Sequence, residues 1–327
     1  DLRTGHQVEA LDPRAKEISG RTSHGDTFRE RYDKLLIATG ATPVLPDLSG
    51  FDLPGVLALK SLEDGRRIKL YLEEKRVGRV VIIGMGYIAL EMCEALRDRG
   101  LRVAMVKPRP GLLPWLQEDL GRMVREELDA RGVDIHAGHD LKEIRPTDRG
   151  LRLLCEDLDL DCEMVLVAYG VRPVSEMAES AGLALGPKKA VSVDRSLRTS
   201  DENIYAAGDC ADAYHVVTDQ KVWIPLALRA NRAGWAVADN VTGNRAELDG
   251  VAGTAVFKVF DLQVAKTGLN ASESKKAGFD PVEVTIQGRT RAHAHPGATM
   301  MGVCMVGDRK SGRLLGVQTV SYTHLTL

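Results

Sequence analysis

The sequence predicts an α/β fold, and three sets of residues predict it. Arg79–Ile83 is a short β-branched run suited to a buried parallel strand. It leads through Gly84-Met85-Gly86 into a helical pattern with Ile88, Met92 and Leu96 on one face. Arg102–Val106 is a second strand where such a unit needs one. Tyr32–Gly40 (YDKLLIATG) and Asn203–Asp212 (NIYAAGDCAD) are two further apolar strands, ending in Thr-Gly and Gly-Asp turns.

The first two sets together make a dinucleotide socket. Gly84 permits the tight turn, Gly86 lets a pyrophosphate approach the backbone, and Ala89 lets helix and strand pack closely. The helix N-terminus then stabilises phosphate charge. In NAD-binding versions an Asp or Glu ends the second strand and accepts hydrogen bonds from the adenosine ribose. This chain has Lys107 there, followed by Arg109. A lysine cannot accept those bonds, whereas Lys and Arg both pair with a 2′-phosphate, so NADPH is favoured over NADH. The competing reading makes both residues solvated charges at a loop mouth, beside Pro108 and Pro110.

A length of 327 residues suggests about two domains, and the net charge of −2 makes no case for nucleic acid or a membrane surface. No apolar run approaches the length of a membrane span. Cys93, Cys155, Cys162, Cys210 and Cys304 form neither a CxxC pair nor a metal-ligand spacing. Reduced thiols in a cytoplasmic protein without a metal site are therefore expected.

Taken in order, ATGATPVLP, GMGYIALE, VAYGVRP and LRTSDENIYAAGDCAD resemble the FAD-dependent pyridine nucleotide–disulfide oxidoreductase superfamily. WIPLALRANRAGWAVADNVTG and GTAVFKVFDLQVAKTGLN are similar to its CoA-disulfide reductase, NADH oxidase and NADH peroxidase branch. The resemblance runs from the first residues to about Val320. It implies two nested Rossmann-like dinucleotide-binding domains, one for FAD and one for NAD(P), plus a C-terminal α+β dimerisation domain and hence a homodimer. The expected divisions are 1–76 for the end of a first FAD segment, 77–195 for the NAD(P) domain, 196–246 for a second FAD segment and 247–320 for the dimerisation domain.

The resemblance also implies roles. Ala38, Thr39 and Gly40 pass near the flavin nucleotide, Gly208 and Asp209 hold its ribityl chain, and Pro225, Leu226 and Ala227 reach its ring at a helix start. Gly84, Gly86, Ala89, Lys107, Arg109 and Gly170 border the NAD(P). Tyr87 matches a tyrosine that covers the flavin until nicotinamide displaces it, and Glu91 a carboxylate near both rings. Read from the residues alone, these two are a core-edge aromatic and an exposed helix charge. Asn231 and Arg232 are placed either toward the substrate and flavin edge or in helix packing.

His295, in His293-Ala-His295-Pro296, is either a proton-transfer group or a polar interface residue. A member of this branch carries its FAD pyrophosphate loop and its redox-active cysteine ahead of the position of Tyr32. Neither is in this sequence, so a fragment truncated at both ends, inactive by itself, is expected. Residues 321–327 (SYTHLTL) lack the expected helical pattern and read as a non-native tail.

The expected function is hydride transfer from NADPH through flavin to a small disulfide, persulfide or peroxide. The enzyme alternative is an NAD(P)H oxidase using oxygen, or a ferredoxin- or rubredoxin-type carrier reductase, with no redox cysteine. The non-enzyme alternative is an inactive nucleotide-binding fragment.

Overall fold

The computed structural model describes residues 2–322. The chain forms two compact units, Asp1–Thr42 with Val171–Gly253, and Pro43–Gly170 with Thr254–Leu327.

The second unit is built on a five-stranded parallel sheet. Its order is Val56–Ala58, Met164–Val167, Arg79–Ile83, Arg102–Lys107 and Asp134–Ala137. After Arg79 the central strands are apolar and buried because both faces are covered. On one face Val80, Ile82 and Met105 pack with Ala89, Leu90, Cys93 and Leu96 of the helix Tyr87–Asp98, and with Leu120 and Val124 of the helix Glu118–Ala130. On the other, Val81, Ile83, Ala104 and Val106 pack with Leu151 and Leu153 of an antiparallel trio, Leu141–Thr147, Gly150–Cys155 and Asp159–Cys162. The period-two alternation along Arg79–Ile83 thus divides its side chains between two cores.

A five-stranded antiparallel sheet completes this unit, in the order Ala255–Val259, Leu262–Gly268, Leu314–Ser321, Met300–Asp308 and Pro281–Arg289. Phe257, Val264, Cys304 and Val320 place one of its faces in the same core as the two helices. Polar ties reinforce the junction. Glu94, on the helix Tyr87–Asp98, accepts from Lys258 Nζ at 2.6 Å and from the Phe260 N–H at 2.7 Å. Gln318 Oε1 accepts from the Gln117 N–H at 2.7 Å.

The first unit holds an antiparallel meander, His6–Asp12, Glu17–Thr22 and Thr27–Arg31. It also holds the parallel pair Leu35–Ile37 and Ile204–Ala206, and the helix Ala227–Val241. Ile37, Ile204, Tyr205 and Ala206 pack with Ala233, Ala236 and Val237 of that helix.

The segment 43–76, expected with the first FAD segment, folds with the parallel sheet, because Val56–Ala58 pairs with Met164–Val167. Segment 171–195, expected with the NAD(P) domain, folds with the first unit. Val56–Ala58 and Met164–Val167 pair across more than a hundred residues, and such pairing leaves no local mark in the sequence. Of the expected tail, Ser321 is a fully buried strand residue opposite Gln263 and Met301, and 323–327 lie outside the described residues. Among the described residues no helix is long and apolar enough to cross a membrane.

Candidate functional sites

In the second unit the residues expected at NAD(P) gather at the carboxyl ends of three adjacent parallel strands. Gly84 leaves Arg79–Ile83 with φ of 120°, and its N–H donates to Val106 O at 2.9 Å. A Cβ there would stand 2.3 Å from Ala168 O, so only glycine lets these strand ends approach. Gly86 caps the helix without a side-chain hydrogen bond, and a Cβ on it would meet nothing within 4 Å. The first turn of that helix contains no acid. Its N–H groups and the open space above Gly86 make a cradle for an anion. Ala89 is fully buried against the strands. Gly170, with φ of 123°, follows Met164–Val167 and accepts from the Val44 N–H.

Lys107 is inside its strand, one residue beyond the expected strand end, and only 9% exposed. It lines a pocket with Ile83, Val106, His139, Asp140 and Tyr169. Among the described residues its ammonium makes no ion pair and no side-chain hydrogen bond. Burial, and then the charge of Arg109, lower its pKa. A desolvated cation of this kind is satisfied by an incoming anion. Arg109 itself is exposed.

Tyr87 is the first residue of the helix Tyr87–Asp98, and its ring lies 6.1 Å from that of Phe257. Phe257 also meets Trp115 edge-on at 6.4 Å. Glu91 follows one turn after Tyr87 on an open helix face. Desolvation, then the charge of Glu94, push its carboxyl above the usual range.

In the first unit three separated segments meet. Leu35–Ile37 and Ile204–Ala206 run parallel, so Ala38-Thr39-Gly40 and Gly208-Asp209 leave the sheet side by side. The Ala207 N–H donates to Ile37 O at 3.0 Å, and Thr39 Oγ1 donates to Val174 O at 2.5 Å. Gly208 takes φ of 83°, and Trp223 Nε1 donates to Asp209 O at 2.8 Å. The Gly-Asp turn is also gripped by Arg229. This guanidinium, 8% exposed, donates to Gly208 O at 2.9 Å, to Ala211 O at 3.0 Å and to Asp212 O. Arg229 lies on the helix that begins at Ala227, so the same contacts fix Pro225, Leu226 and Ala227 beside the turn. Asn231 is exposed on the same helix, as is Arg232.

Arg229 and Trp223 were not among the expected site residues. The signal for Arg229 is its position. It lies four and seven residues before Ala233 and Ala236, so a charge stands in the helix's apolar stripe.

All five cysteines are free and buried. Burial pushes the Cys93 and Cys162 thiols up to about 12, and it raises Cys155 and Cys304. Cys210 is fully buried, with its Sγ near Ala207 O and Ile37 O. None is the exposed thiol that attacks disulfides. Because the folded pKa values of Cys93 and Cys162 lie above the unfolded thiol value, roughly 8.5, their contribution to stability is full below that value. It is lost as the pH rises, by about 1.4 kcal/mol per pH unit for each thiol. Urea midpoints measured upward from pH 8 are expected to fall more steeply in the native protein than in C93A/C162A. Parallel curves would contradict this.

His295 is exposed in the connection between Pro281–Arg289 and Met300–Asp308, with Nδ1 2.9 Å from Pro296 O. His293 is exposed nearby. No cluster of three or more potential metal ligands occurs among the described residues.

Residues 1–234 match the family described as pyridine nucleotide-disulphide oxidoreductase, and residues 254–326 match its dimerisation domain. The chain belongs to the pyridine nucleotide-disulphide oxidoreductase family. Among family members, it is 35% identical to an NAD(P)H sulfur oxidoreductase (CoA-dependent) of Pyrococcus furiosus, over 91% of this chain and 67% of that protein. It is 33% identical to an NADH oxidase of Methanocaldococcus jannaschii, over 98% of this chain and 71% of that one. The solved NAD-dependent persulfide reductase from A. fulgidus superposes with a TM-score of 0.93 at 33% identity. The chain covers 59% of that structure's length, with 98% of itself included.

Proposed function

We propose that this chain is the nucleotide-handling part of an FAD-dependent NAD(P)H oxidoreductase that reduces a small disulfide or persulfide. The observation that carries the nucleotide assignment is the buried Lys107 ammonium without a partner, standing beside the glycine cradle at Gly84–Gly86. The first unit is the FAD-binding part and the second the NAD(P)-binding part. The names of the Pyrococcus furiosus and A. fulgidus relatives support the sulfur acceptor. The match to a dimerisation domain supports a homodimer.

The residues present fit both nucleotides. For NAD(P), Gly86 and the helix N-terminus would hold the pyrophosphate, with Lys107 and Arg109 on the adenosine 2′-phosphate. Gly170 would border the nicotinamide half. For FAD, the paired turns at Ala38–Gly40 and Gly208–Asp209 would hold the ribityl and phosphate region, and Leu226–Ala227 would approach the ring. Bound FAD supplies acceptance of a hydride from the nicotinamide and delivery of an electron pair to the acceptor. Around that chemistry, Arg229 keeps the Gly-Asp turn in place. Tyr87 shields the outer side of the glycine-loop helix start, and the Glu91 carboxyl stands one turn after it.

The acceptor's thiol partner is not one of the five described cysteines, since all are buried. One second reading is direct delivery of electrons to oxygen, which the NADH oxidase name of the Methanocaldococcus jannaschii relative supports.

The deciding assay uses the product of the full open reading frame under anaerobic conditions. Bleaching of flavin absorbance by NADPH, followed by turnover with CoA disulfide or polysulfide, is the expected result. Bleaching with reoxidation by oxygen alone selects the second reading, and no bleaching by either nucleotide defeats both. Lys107→Glu is expected to raise the NADPH Kd by roughly ten- to a hundredfold, the equivalent of a lost charge-assisted contact, with NADH binding retained. An unchanged ratio of the two dissociation constants would remove Lys107 from the 2′-phosphate site.

A further inference from the structure

The pocket that contains Lys107 has another nitrogen group in its wall. His139 follows the edge strand Asp134–Ala137, and its backbone N–H donates to Lys107 O at 3.2 Å. The Gly138 N–H donates to the same carbonyl at 2.9 Å. Two backbone hydrogen bonds therefore hold the His139 segment against the end of the strand that carries the buried ammonium. The ring is held separately, with its Nδ1 2.7 Å from Asp157 Oδ1. Asp157 belongs to the turn between Gly150–Cys155 and Asp159–Cys162, so the carboxylate reaches the ring from a different element.

The surroundings leave this ring for a ligand of one sign. Asp140, the acid in the pocket wall, is 3.7 Å from Lys142 Nζ. His136 stands edge-on with its ring 6.1 Å from that of His139, and desolvation first of all keeps the His136 pKa low. With Lys107 more than nine-tenths buried in the same wall and lacking a counter-ion, the pocket is prepared for a dianion rather than for a hydroxyl.

We propose that His139, oriented by Asp157, is a specificity-determining contact for the adenosine 2′-phosphate, acting with Lys107. The inference rests on the nucleotide reading above. A carboxylate at Nδ1 fixes the ring orientation, so that with both ring nitrogens protonated Nε2–H donates to a phosphate oxygen. NADH, with a 2′-hydroxyl, gains nothing from that donor.

The test is equilibrium binding of NADPH, NADH and 2′,5′-ADP to the full-length protein and to His139→Ala, His139→Gln, Asp157→Asn and Lys107→Ala. His139→Ala is expected to raise the Kd of NADPH and of 2′,5′-ADP about tenfold while NADH changes less than about twofold. Asp157→Asn moves the same two constants in the same direction by less. His139→Gln, which keeps a neutral N–H donor, recovers part of the loss. Equal weakening of NADPH and NADH in His139→Ala, or no weakening, overturns the proposal. Melting temperatures of the variants separate a binding change from a folding change. If Lys107→Ala loses NADPH selectively and His139→Ala does not, the His139 inference alone fails. If the wild-type protein binds none of the three ligands, the nucleotide reading fails with it.

Discussion

Gly84→Ala is expected to remove about 3 kcal/mol of stability and to abolish pyridine-nucleotide binding, whereas Gly86→Ala keeps the stability and loses only the nucleotide. Gly84 sits at φ of 120°, a conformation that L side chains rarely adopt, and its Cβ would press on a backbone oxygen at 2.3 Å. That oxygen belongs to Ala168, at the end of the neighbouring strand, whose N–H is already tied to Ile83 O. Neither side can yield without opening the sheet at its carboxyl edge. Gly86 has ordinary extended backbone, φ −83° and ψ 179°, and open space where a Cβ would go. A methyl there disturbs nothing in the protein and blocks the approach of a pyrophosphate. Thermal melts and NADPH titrations of the two variants read the contrast directly. A normal melt for Gly84→Ala would mean that the strand ends are looser than the contacts imply. Undiminished NADPH affinity in Gly86→Ala would place the pyrophosphate elsewhere.

Arg229→Met is expected to have the next largest effect, a loss of about 3 kcal/mol or more together with loss of bound flavin. The guanidinium donates to three carbonyls of one short loop, Gly208, Ala211 and Asp212, and it is almost completely buried. Methionine matches its apolar stem but removes the donor to the Ala211 and Asp212 carbonyls and leaves Gly208 O with the Ala211 N–H alone at 3.2 Å. The turn that carries Asp209 then loses its tie to the helix Ala227–Val241. Arg229→Lys is expected to rescue little, since an ammonium cannot span three acceptors with the planar fork of a guanidinium. Flavin content per chain and the melting temperature are the readouts. Full flavin occupancy in Arg229→Met would show that the turn keeps its shape without the clamp.

Much of this architecture is legible in the amino-acid order. Arg79–Ile83, the turn at Gly84–Gly86 and the helix after it are set by local requirements: an apolar run, two glycine conformations and a 3.6-residue stripe. The strand ends at Ala38–Gly40 and Gly208–Asp209 are legible for the same reason, although their adjacency is not. The resemblance to a known family supplies that adjacency, and the parallel pairing of Leu35–Ile37 with Ile204–Ala206 realises it across some 170 residues.

The sequence by itself determined the α/β class, the glycine loop and the cationic character of the second strand's end, because each is written in neighbouring residues. Only the tertiary structure decided that Lys107 is buried without a counter-ion and that Arg229 clamps the Gly-Asp turn. It alone joined 43–76 to the parallel sheet, and it alone set His139 against Asp157 in the wall of the Lys107 pocket. Each of these depends on which distant segments become neighbours. Desolvation and hydrogen-bond partners are properties of the packed neighbourhood, so no window of sequence contains them.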